Sequence, residues 1–165
     1  MHVFTDTRVP IDARSALAED LRSWLPARRV LSLATEAAGL VTQDPAFRTM
    51  RFEQCSAPMM LTLLGYCYAT NRFSSEDVEE AVANEDVLRH SLGFSDAHAI
   101  RRFRRAYRPW ILQCLIYILT EAKAESAERA KESFATVCSG ACEDIVGWSS
   151  RRIQLAILMD AAEAD

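Results

Sequence analysis

From Ile100 to Ile118 the side chains of Ile100, Phe103, Tyr107, Ile111, Cys114 and Ile118 return every three or four positions, a rhythm that an α-helix gathers onto one side. The stripe keeps its phase across Pro109, which predicts a kinked but continuous helix rather than a break. The same stretch carries Arg101, Arg104, Arg105 and Arg108 at i, i+3, i+4 and i+7, with Arg102 beside them. The helix is therefore expected to pack by one face and to present arginines to water on the other. Directly before it stands an acidic stretch, SSEDVEEAVANED, so residues 74–108 read as a helix-turn-helix-like segment. Opposite charges on neighbouring helices leave the chain acidic overall and basic locally.

The rest of the sequence fits around that segment. Half of the 165 residues are hydrophobic, enough for a core without metals or disulfides. Only five glycines and five prolines occur, and alternating valine or isoleucine runs are absent. These features predict an all-α fold, a compact multi-helix domain with a helical C-terminal tail. The domain is placed at residues 1–125 with its core at 56–120, and the tail at 126–165. A formal net charge of −4 argues against a surface that coats nucleic acid, so any DNA contact must be local. The five cysteines, Cys55, Cys67, Cys114, Cys138 and Cys142, form an odd set without repeated spacing. They are expected to be free thiols in a reducing cytoplasm. The N-terminal stretch lacks the apolar core of a signal peptide, and Trp110 to Leu119 falls short of the ~20 residues of a spanning helix. The expectation is a cytoplasmic protein with no membrane association.

Along the chain, IDARSALAEDLRSWL reads as a first helix capped by Asp12 and interrupted by Pro26. ARRVLSLATEAA reads as a second, closed by Gly39. The segment around Pro45 is a connector with a short helical turn. Ser56 and Pro58 open PMMLTLLGYCYAT, so uniformly apolar that it should be the central core helix. Ser74 and Asp77 predict a capping box, NEDVLRHSL a short helix ended by Gly93, and Asp96 the cap of the arginine helix. Beyond Glu121 the sequence remains helical in composition, with Gly140 and Gly147 as joints. Ile153, Leu155, Ile157, Leu158 and Met159 are too dense for a solvated end. That last helix should either fold back on the core or meet a second chain in a homodimer.

Between Ala57 and Arg108, about a third of the chain, these features resemble one family. Pro58-Met59-Met60-Leu61 opens an apolar helix, Tyr66 and Tyr68 lie near its end, and Ser74-Ser75 starts the next. Asp96, Ile100, Phe103 and Arg104 follow in the arginine helix. Together they resemble the N-terminal helical domain of bacterial insertion-sequence transposases of the InsH type. The resemblance implies a module that recognises the DNA ends of the element, normally joined to a ribonuclease-H-like catalytic domain for which this chain has no room. It departs from the family at Asn71-Arg72-Phe73, where a glycine is usual, and at Ala99, where a threonine is usual.

The candidate DNA-binding residues are accordingly Arg101, Arg102, Arg104, Arg105 and Arg108, with Arg72 and Arg89 in support, because guanidinium forks match phosphate oxygens and guanine edges. The partner would be double-stranded DNA. The competing reading of the same residues is a solvated face neutralised by Glu76, Asp77, Glu79, Glu80, Glu85 and Asp86, although the first four have a local reason to sit at a helix N-terminus. Cys138 and Cys142 with His90 and His98 match no common zinc spacing. No phosphate loop, nucleophile elbow or HExxH motif occurs. The sequence thus predicts a non-catalytic DNA-binding domain without metal or cofactor. The alternative is a helical protein-interaction or oligomerisation module with no nucleic-acid role.

Overall fold

The helix Ala57–Ala69 meets almost no water: every residue from Met60 to Thr70 is buried. A segment apolar on all sides needs neighbours on all sides, and the rest of the fold supplies them. The computed structural model describes residues 20–49, 56–89, 96–132 and 145–163. Within them a 3₁₀ turn, Leu21–Ser23, precedes α1 (Ala27–Val41), α2 (Pro45–Arg48), α3 (Ala57–Ala69), α4 (Ser75–Asn84), α5 (Asp86–Arg89), α6 (Ala97–Glu132) and α7 (Ile145–Glu163). The fold is all-α, with no strand among the described residues. None of these helices is long and apolar enough to cross a membrane.

α1, α3 and α6 pack on one another to form the central layer, and α4 and α7 lie against α6. The three central helices meet at Gly65. A Cβ built there would stand 3.1 Å from Ile118 Cδ1, 3.6 Å from Ala34 Cβ and 4.0 Å from Cys114 Cβ. Hydrogen in place of a side chain therefore sets how closely α3 approaches α1 and α6.

Most helix ends follow the local chemistry. Asp44 caps the short α2 through the Ala46 N–H, with Pro45 in its first turn. The Ser74–Asp77 capping box is formed reciprocally, Asp77 N–H donating to Ser74 Oγ at 3.0 Å and Ser74 N–H to Asp77 Oδ2 at 3.2 Å. Asp96 accepts from the Ala99 N–H at 2.7 Å. α3 ends at Asn71, whose φ of 62° is left-handed, and the Arg72 N–H returns to the Cys67 carbonyl at 2.8 Å. This is a Schellman closure with asparagine where glycine is commoner.

Other boundaries differ from the sequence reading. Gly39 does not close α1; the helix runs through it to Val41 and ends on the Thr42 N–H. Nothing forces a left-handed residue there, since Gly39 is exposed and its φ is not positive. The described end of the first helix is a 3₁₀ turn capped by Asp20. α6 continues past Glu121 to Glu132, so positions 125 and 126 lie inside it. Gly147 sits within α7 rather than at a joint. Asp12, Gly93 and Gly140 fall outside the described residues.

α6 is continuous in the way its stripe predicts, with Ile100, Phe103, Tyr107, Ile111, Cys114 and Ile118 all buried. The bend falls at Tyr107 (φ −115°, ψ 17°), two residues before Pro109, whose ring and missing N–H disturb the preceding turn. α7 folds back along α6, burying Trp148, Ile153, Leu155 and Ala156.

Candidate nucleic-acid interface

Three helix ends converge where α3 turns into α4. The last turn of α3 leaves carbonyls without intrahelical donors, and the first turn of α4 leaves N–H groups without acceptors. α7 answers both. Arg152 Nη1 donates to the Tyr68 carbonyl and to Asn71 Oδ1, the latter at 2.6 Å. About two turns further along, Asp160 accepts from the Ser75 N–H at 2.7 Å and from Ser75 Oγ at 2.8 Å. A cation thus meets a helix C-terminus and an anion a helix N-terminus, each the favourable sign for the helix dipole.

Both charges are buried, which requires partners. Arg152 stacks on the Trp148 ring, 3.8 Å from its centroid, with Phe73 at 5.6 Å. Burial lowers its pKa to about 9, so it remains a cation at neutral pH. Asp160 is paired with Arg104, whose guanidinium also reaches the Tyr68 hydroxyl, the Ala156 carbonyl at 3.0 Å, the Phe73 carbonyl at 3.3 Å and Ser75 Oγ at 3.4 Å. Burial of Tyr68 pushes its phenol well above the ordinary range, and Arg104 opposes that shift.

This arrangement divides the candidate arginines. Arg104 is 2% exposed and committed to the interior, so the expectation that it faces water fails. The physical reason is angular: at ~100° per residue it lies only ~40° from Ile100, on the shoulder of the apolar stripe, whereas Arg102 lies ~160° away. Arg101 is half-buried between two carboxylates, with Nη2 2.9 Å from Glu76 Oε1 and Nε 3.7 Å from Asp160 Oδ2. Arg102, Arg105 and Arg108 are exposed on α6. Of these, Arg105 and Arg108 have no carboxylate partner among the described residues.

The two supporting arginines are engaged locally. Arg72 Nη2 lies 3.4 Å from Glu85 Oε1, and Glu85 also accepts from the Tyr66 hydroxyl at 2.8 Å. Arg89 donates to the Ala83 carbonyl near the end of α4, at 2.6 Å from Nη2, and sits 3.6 Å from Asp86. Both remain on the surface side of the α4–α5 corner, Arg89 the more exposed.

The other chemistry-bearing groups are interior ones. Cys67 and Cys114 are free and buried; burial pushes the Cys114 thiol up to about 12 and raises that of Cys67 as well, which disfavours the reactive thiolate. Cys55, Cys138, Cys142 and His90 lie outside the described residues, and His98 is exposed in the first turn of α6. Among the described residues no group of three or more His, Cys, Asp or Glu side chains could hold a metal ion. Tyr66, Tyr68, Phe73, Phe103 and Tyr107 are buried, which makes them core residues rather than stacking platforms for bases.

Sequence reasoning missed Asp160 and Arg152, the residues that organise this corner. A signal was present: Arg152 and Asp160 lie about two turns apart on the same side of the last helix, in phase with Ala156. No protein-family model, curated protein or solved structure matches this chain.

Proposed function

We propose that the chain is a non-catalytic DNA-binding module that grips the phosphates of duplex DNA through Arg105 and Arg108, with Arg102 alongside on α6. The observation that carries this reading is the exposure of Arg105 and Arg108 without an acidic partner among the described residues. The resemblance of residues 57–108 to the InsH-type transposase domain supports it. In this chain the residues that carry the resemblance are caps and core, Ser74, Asp96, Ile100, Phe103 and Arg104 among them, so it speaks for a shared scaffold more than for shared base contacts. Phosphate contacts position a protein without reading sequence, and two or three of them give weak, salt-sensitive binding.

Reversing both Arg105 and Arg108 to glutamate is expected to weaken binding of a labelled duplex at low salt by roughly tenfold or more, while the helical circular dichroism stays unchanged. Unaltered affinity in that variant overturns the assignment. A second reading has its own observation: Val146, Ile157 and Leu158 of α7 are 49%, 39% and 52% exposed. They favour a face for self-association or a protein partner. Light scattering that shows a monomer at all concentrations removes its homodimer form.

A further inference from the structure

We infer that Glu76 is an intramolecular competitor for Arg101, an acidic gate that keeps a further guanidinium folded onto the protein until a phosphate displaces it. The inference rests on the phosphate-binding reading above and concerns the regulation of the same surface. Arg101 is held by two carboxylates of opposite character. Asp160, at 10% side-chain exposure, is fixed by Ser75 and Arg104. Glu76 is 55% exposed, stands in the first turn of α4, and has Arg101 as its hydrogen-bond partner among the described residues.

An exposed ion pair of this kind is weak, because water solvates both ends and salt screens them. A phosphate, with more acceptor oxygens, can therefore replace Glu76 without disturbing the buried pair beneath. Arg101 precedes Arg105 by four residues and Arg108 by seven, so a released Arg101 extends the line of exposed arginines by one turn of α6. The neighbouring acid Glu80 is also exposed on α4, yet no arginine is paired with it among the described residues. It provides the control for a change of net charge alone.

The test measures anisotropy of a short labelled duplex against the full chain over a salt series. Glu76→Gln is expected to tighten binding about three- to fivefold and to steepen the dependence of log affinity on log salt by about one unit. Glu80→Gln removes the same charge and should tighten binding less, with the slope unchanged. Arg101→Gln alone should have little effect, but combined with Glu76→Gln it should erase the gain. Equal effects of Glu76→Gln and Glu80→Gln, or a gain that survives loss of Arg101, overturn the gate while leaving Arg105 and Arg108 as the contact residues. Absence of binding by both the unaltered chain and Glu76→Gln overturns the gate and the DNA reading together.

Discussion

Asp160→Ala is expected to lower the unfolding free energy by about 3–5 kcal/mol, because it strands the Arg104 guanidinium in the interior without its counter-charge. The Ser75 N–H and hydroxyl lose their acceptor in the same step, at the start of a helix where the N–H has no intrahelical alternative. For a chain of this length the melting temperature should drop by roughly 10 °C. Urea unfolding followed by circular dichroism measures the loss directly. A second variant separates the charge from the packing. Arg104→Met combined with Asp160→Leu removes both charges and keeps comparable volume, and should recover part of the loss, as buried ion pairs replaced by apolar residues commonly do. Recovery will be incomplete, since Ser75 and the Tyr68 hydroxyl stay without partners. A loss below about 1 kcal/mol in Asp160→Ala would contradict the view that this pair holds α7 in place.

What was readable in the sequence is what local chemistry decides. The capping box at Ser74, the cap at Asp96, the apolar α3 and the kinked continuity of α6 each depend on residues within a turn or two of one another. The fate of the arginines was not local. Arg104 is claimed by a carboxylate 56 positions away, and nothing near it in the chain announces that partner. The helical wheel held half of the answer, placing Arg104 beside Ile100; the other half lay in Asp160 on the buried face of the last helix, where a carboxylate must find a donor. Gly39 erred in the other direction. A glycine near the end of a helical pattern marks a stop only when the chain needs a left-handed residue there, and the turn after Val41 is closed by Thr42 without one. The same division separates scaffold from surface: caps and core leave a periodic trace in sequence, whereas a surface guanidinium is defined by what fails to cover it.

Phe103→Ala should be as costly as the loss of Asp160, about 3–5 kcal/mol, through a cavity rather than a charge. Phe103 is fully buried and stacks on Tyr107, with ring centroids 4.3 Å apart and planes within 8°. Tyr107 in turn meets Phe47 at 5.4 Å, and Phe47 meets Trp110 at 5.7 Å edge-on. The chain of rings ties α2 to the bend of α6 at the residue whose backbone leaves helical geometry. Phe103→Leu retains most of the buried apolar surface and should lose less, its remaining loss reporting the ring stack at roughly 0.5–1.5 kcal/mol. Denaturant titration of both variants distinguishes the contributions. Equal losses for alanine and leucine would mean that ring shape at the bend, rather than filled volume, sets the stability of the arginine helix.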